Sequence, residues 1–149
     1  MFATFNRRED RPFTLKWLFT QYLATYLVAI PFWLVFKKQN HTEAILIIIL
    51  INAIGDGLAE PIGIRWGKHK YRVTAIFTTR SLQGSACVFV VAVIVIFLFR
   101  NNFTTPQFII ALIAVPAVAT LAEAKSPHTM DSPFIFLFTS ITLCGVYLV

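Results

Sequence analysis

Between Asn52 and Tyr71 the chain reads Asn-Ala-Ile-Gly-Asp-Gly-Leu-Ala-Glu-Pro-Ile-Gly-Ile-Arg-Trp-Gly-Lys-His-Lys-Tyr, so two carboxylates, four glycines and a basic cluster follow a long apolar run. Asp56 and Glu60 stand where hydrocarbon gives way to water, and a charge there is costly unless a cation, a partner or water compensates it. The two acids are four residues apart, so they share one face if the helix runs on through Gly57. Carboxylates so placed repel unless a cation lies between them. Mg2+ suits that place, being usually held by one or two carboxylates plus substrate phosphates. Gly55 and Gly57 would let a backbone approach a ligand closely, and Gly63 and Gly67 would permit turns that aim successive amides at an anion. Arg65, Lys68 and Lys70 would supply charge to phosphate oxygens. The competing reading is a cytoplasmic loop in which Gly and Pro61 make turns and Lys or Arg pairs with Asp56 and Glu60. His69 reads as a polar loop residue, since no second histidine lies at metal-binding spacing.

Two further blocks carry chemistry. Thr79-Arg80-Ser81-Leu82-Gln83-Gly84-Ser85-Ala86 precedes an apolar run. A Ser- and Gly-rich helix start beside an arginine is either an anion site, with unpaired first amides and a positive dipole end, or an ordinary cap with a topology-setting arginine. Ala119 to His128 is followed by Asp131 and then by a last apolar run from Pro133. Glu123 ends a helix that otherwise needs no acid, so it either completes a metal site or pairs with Arg80. Asp131 either does the same or caps the next helix. His128 reads as a solvated residue.

The elements that must position these blocks are membrane helices. With 57% apolar side chains, 15% aromatics and only 13% charged residues over 149 positions, the chain is too apolar for an ordinary soluble domain; its mean hydropathy is +0.71. Five stretches approach the roughly 20 helical residues that span a hydrocarbon core of about 30 Å: Thr14 to Phe36, Thr42 to about Leu58, Arg80 to Phe99, Gln107 to about Ala122, and Pro133 to Val149. The expected fold is all-α, a single polytopic transmembrane helical bundle of about five helices over residues 1–149. The first stretch follows Arg7, Arg8 and Arg11 but is long, aromatic and without a small-residue cleavage site, which favours a retained helix over a secretory signal. Cys87 and Cys144 fall in apolar runs without ligand spacing and read as core residues.

Charge sets an orientation. Taking alternate sides of the five stretches, Arg7, Arg8, Arg11, Lys16, Arg65, Lys68, Lys70, Arg72, Arg80 and Lys125 share one side, against Lys37, Lys38 and Arg100 on the other. The positive-inside rule then puts the amino terminus, the loop from Gly55 to Thr79 and the loop from Glu123 to Ser132 in the cytoplasm, and the carboxyl terminus outside. Asp56, Glu60, Glu123 and Asp131 all fall on the cytoplasmic side. Topology and attraction to anionic lipid headgroups cover Arg7, Arg8, Arg11, Lys37 and Lys38 in the net charge of +6. They cover the Arg65 to Arg72 cluster less well, because its charges are interleaved with glycines beside two acids. No nucleic-acid partner is expected.

Taken in order, the blocks resemble the signature of the CTP-dependent polyprenol kinase family, which includes dolichol kinase, phytol kinase and a CTP-using diacylglycerol kinase and is related to the phosphatidate cytidylyltransferases. Gly55 to Lys70 is similar to its Gly-Asp-Gly-hydrophobic-Ala-Glu and Gly-Lys-His-Lys elements, Arg80 to Ser85 to its Ser-Leu-acid-Gly-Ser element, and Thr120 to Ala124 with Asp131 to its Thr-Leu-Ala-Glu-Ala element. The resemblance covers about Ile51 to Phe134. It implies a membrane transferase that uses cytosolic CTP and Mg2+ on a lipid. Asp56, Glu60 and Glu123, with Asp131, would be catalytic or hold Mg2+, while Gly55, Gly57, Arg65, Lys68, Lys70, Arg80, Gly84 and Ser85 would bind nucleotide and phosphate. Asp56 could instead accept the hydroxyl proton. The implied reaction is phosphoryl transfer from CTP to a polyprenol-type or other lipid alcohol; the alternatives are a cytidylyltransferase that joins CMP to a lipid phosphate and a non-catalytic relative. Gln83 departs from the family's acid, so a role for that carboxylate does not transfer. Relatives also carry more membrane helices ahead of the first block, which leaves a minimal member, a homo-oligomer or a fragment as readings of this chain.

Overall fold

The computed structural model describes residues 13–72, 79–127 and 130–149. Arg7, Arg8, Arg11 and His128 lie outside the described residues. The fold is all-α, a bundle of five long helical rods. They are α1 (Thr14–Lys38), a continuous rod Glu43–Trp66, α4 (Leu82–Leu98), α5 (Thr105–Lys125) and α6 (Asp131–Tyr147). The second rod consists of α2 (Glu43–Leu50), a π-helical segment (Ile51–Asp56) and α3 (Gly57–Trp66). Three rods, Thr14–Lys38, Glu43–Trp66 and Thr105–Lys125, are long and apolar enough to cross a membrane; α4 and α6 are apolar and 17 residues each.

α6 packs against α5, α1 and α2, while α4 packs against α5, α3 and the π segment. The core they enclose is aliphatic, with Ile47, Ile48, Ile51, Val88, Ile96, Val115, Ile135 and Leu143 fully buried. Small residues, Ala92, Ala111 and Ala119, are buried with them and let the rods approach closely. Large apolar side chains such as Phe19, Leu27, Ile94, Phe97 and Ile113 point outward, the distribution of a bundle dissolved in lipid.

The second rod corrects two expectations. The helix does not end near Leu58 but continues to Trp66, so Pro61 and Gly63 are helical and make no turn. Pro61 removes one backbone donor and crowds the preceding turn. A π segment ends five residues before it, and such widening is a known way to absorb a local change of helical hydrogen bonding. Gly67 does leave the helix, at φ −70° and ψ 84°, with its amide donating to the Gly63 carbonyl at 3.1 Å. Beyond it lies a short antiparallel hairpin that apolar periodicity gave no sign of, β1 (Lys70–Arg72) and β2 (Thr79–Ser81), with Tyr71 opposite Arg80.

At the opposite end of the bundle an aromatic stack joins two connections to the end of α6. The Tyr147 ring stacks on His41 at 3.9 Å and on Phe103 at 5.4 Å. The turn that carries His41 includes Asn40 at φ 58°, a conformation asparagine tolerates better than most residues.

Candidate functional site

The polar end of the bundle is built where β2 runs into α4, α5 ends and α6 begins. Ser81 caps α4 by accepting the Gly84 amide at 3.1 Å. That amide, expected to be offered to a nucleotide, is therefore already used. Gly84 serves packing: a Cβ on it would lie 2.8 Å from the Ala59 carbonyl oxygen, so its absence lets α3 and α4 touch. At Gly55 a Cβ would make only an ordinary contact with Val88, at 3.6 Å, and a Cβ on Gly57 would meet nothing within 4 Å.

Arg80 projects from β2 into the gap between the end of α5 and the start of α6. Its Nη1 donates to Glu123 Oε1 at 2.5 Å, and its Nη2 donates to Ser126 Oγ at 2.9 Å and to Asp131 Oδ1. Glu123 is 3% exposed. Its second oxygen accepts from Ser85 Oγ at 2.8 Å, and Ser126 shares its one hydroxyl proton between the Glu123 carbonyl and Asp131 Oδ1. Since Ser85 gives its one proton to Glu123, the Tyr71 hydroxyl 2.7 Å away must be the donor to Ser85. The result is a run of donors, Tyr71 to Ser85 to Glu123, met from the other side by Arg80.

The electrostatics follow. Burial works against the Arg80 charge, but Asp131 and then Glu123 outweigh it, and the guanidinium is held protonated more firmly than in water. Burial also pushes the Tyr71 phenol up, with Glu123 and Asp131 adding to the shift and Ser85 and Arg80 opposing it. Of the two roles open to Glu123, metal ligand or partner of Arg80, the pairing is the one found; Asp131 both pairs with Arg80 and opens α6.

Besides Tyr71, the first block approaches this cluster at Asp56. Ser132, next to Asp131, accepts from Gln21 Nε2 at 3.1 Å and donates to Asp56 Oδ2 over a long 3.4 Å. Asp56 is half-buried and Glu60 is exposed, on the helix that does continue through Gly57. Arg65, Lys68 and Lys70 are exposed, and the Arg65 guanidinium lies 5.3 Å from the Trp66 ring centre. Among the described residues no three His, Cys, Asp or Glu side chains gather into a group able to hold a metal.

Tyr71, Ser126, Ser132 and Gln21 were not anticipated. Gln21 carried a readable signal, a polar side chain within an apolar run, and Ser126 and Ser132 flank acids already singled out. Comparison with family models, with curated proteins and with solved structures returned no match to this chain.

Proposed function

We propose that the chain is a membrane lipid kinase that transfers the γ-phosphoryl group of CTP to the hydroxyl of a polyprenol-type or other lipid alcohol. The observation that carries this reading is the meeting of the three blocks. Arg80 of the second lies between Glu123 and Asp131 of the third, and Ser132 beside Asp131 reaches Asp56 of the first. Residues that resemble one family's signature, spread over most of the chain, thus line one end of an apolar bundle whose helices can flank a prenyl or acyl chain. The ten-to-three distribution of Lys and Arg favours the cytoplasm for that end.

In the proposed step the alcohol oxygen bonds to the γ-phosphorus while the bond from that phosphorus to the β,γ-bridging oxygen breaks. CDP leaves with the electron pair, and the hydroxyl proton passes to Asp56 or to water. Such transfer asks mainly for positioning and charge neutralisation. Exposed Lys68 and Lys70 are placed to meet phosphates, with Arg65 near them in sequence.

Magnesium fits part of the expected set. Glu123 and Asp131 are engaged by Arg80, Ser85 and Ser126 and do not suit it as placed. Asp56 and Glu60 suit the smaller demand of an ion delivered on the nucleotide, which needs one or two carboxylates besides phosphate oxygens. Bound there, the ion would neutralise charge on the transferring group.

The test is to incubate the protein in bilayers with Mg2+, CTP, mixed lipid alcohols and phosphatidate, and to identify the nucleotide released. CDP together with a lipid phosphate is the expected result. Pyrophosphate would replace the reading with CDP-lipid synthesis, and neither product from folded protein would make this a non-catalytic membrane protein.

A further inference from the structure

We infer that Arg80 is the resident cation of Glu123 and Asp131, filling the place assigned from sequence to Mg2+, and that this carboxylate pair accepts a divalent ion only when Arg80 is removed. Three features of the cluster lead there. The first is charge and burial: two carboxylates face one guanidinium, with side chains only 4% and 14% exposed around an arginine that is itself 14% exposed. A fixed positive charge is already present where an incoming ion would have to lose its water.

The second is how far the carboxylate oxygens facing Arg80 are already engaged. Each Glu123 oxygen has a donor, Nη1 of Arg80 on one and Ser85 on the other, and Asp131 Oδ1 takes both Nη2 and Ser126. Arginine's planar fork meets two carboxylates at once, an arrangement a lysine or a small ion does not reproduce. Mg2+ instead demands near-octahedral oxygen geometry and keeps several waters.

The third is the direction of the hydroxyl protons. Tyr71 donates to Ser85, Ser85 to Glu123, and Ser126 to Asp131. Hydroxyls aimed this way stabilise carboxylate charge by donation and turn their protons toward the space a metal would need. Taking Arg80 away leaves a buried carboxylate, Glu123, and a partly buried one, Asp131, without the guanidinium that neutralises them, a state that draws in a new cation. The charge count holds whichever lipid reaction the protein carries out.

The experiment uses the full chain in phosphatidylcholine vesicles, without nucleotide, with Mn2+ as the probe and the electron paramagnetic resonance signal of free Mn2+ as the readout. Arg80→Gln is expected to gain a Mn2+ site roughly tenfold tighter than any in the wild type, and Arg80→Gln combined with Glu123→Gln to lose it again. Arg80→Lys, which keeps the charge, is expected to show no gain. Absence of a gain in folded Arg80→Gln overturns the inference. Should Arg80→Gln not fold, Glu123→Gln and Asp131→Asn in the otherwise native chain decide: unchanged Mn2+ binding agrees, and a loss of about tenfold in either overturns it. No turnover is measured, so the result is independent of the proposed kinase activity.

Discussion

Arg80 and Glu123 are 43 residues apart in the chain and meet at 2.5 Å between Nη1 and Oε1. The pair lies where β2 passes into α4 and α5 ends, and it is nearly closed to solvent on the carboxylate side. Breaking such a pair from one side strands a charge. Glu123→Gln or Arg80→Ala should therefore cost about 3–5 kcal/mol of stability. Arg80→Lys should lose less, because the charge stays while the fork is lost. Unfolding measured in mixed micelles checks this, and added salt should change the loss little, since buried pairs are weakly screened.

Tyr71→Phe removes the donor to Ser85 and should cost about 1 kcal/mol. The phenol also makes a pH-dependent contribution. Its proton is held more tightly in the folded state, so the stability it gives is complete below the ordinary tyrosine value of about 10 and is lost as pH rises through the higher folded value. Stability of the wild type should thus fall more steeply than that of Tyr71→Phe above about pH 10. Parallel curves would remove Tyr71 from the buried network.

Two glycines of the resembling blocks should behave oppositely. Gly84→Ala drives a Cβ to 2.8 Å from the Ala59 carbonyl oxygen and 3.1 Å from Ser81 Oγ. A backbone cannot yield as a side-chain tip does, and a loss of roughly 1–3 kcal/mol is expected. Gly57→Ala enters open space at helical dihedrals, φ −61° and ψ −31°. It should be neutral or stabilising by up to about 1 kcal/mol. If Gly57 admits a nucleotide, turnover should fall in this variant although stability does not, and assay and melt together separate the two effects.

For the proposed reaction, Asp56→Asn should lower turnover by a factor on the order of 10²–10⁴ if Asp56 takes the hydroxyl proton, with membrane insertion unchanged. Full activity would remove Asp56 from the site. Lys68→Ala should raise the CTP concentration needed for half-maximal rate more than that for lipid. The reverse pattern would move Lys68 to the lipid headgroup.

The helices were legible because their cause is local. Runs such as Thr14 to Phe36 are apolar over the length a bilayer requires, and Ser81 three residues before Gly84 announces a cap whether or not a bundle surrounds it. The same reasoning misplaced the end of the second rod. Gly and Pro are turn formers by local rule, yet packing of α3 on α4, with Ala59 against Gly84, accompanies a helix that continues through Pro61 and Gly63.

By itself the sequence determined an all-α bundle, the grouping of acids and bases into three blocks, and the short list of roles open to Glu123 and Asp131. Only the tertiary structure decided that Arg80 takes both acids, that Tyr71 and Ser85 orient Glu123, and that Gln21 is tied through Ser132 toward Asp56. The reason is range. Apolar length and capping act within a few residues, whereas the partner of a buried charge is set by which helix ends and strands meet, and that depends on the packing of the whole bundle.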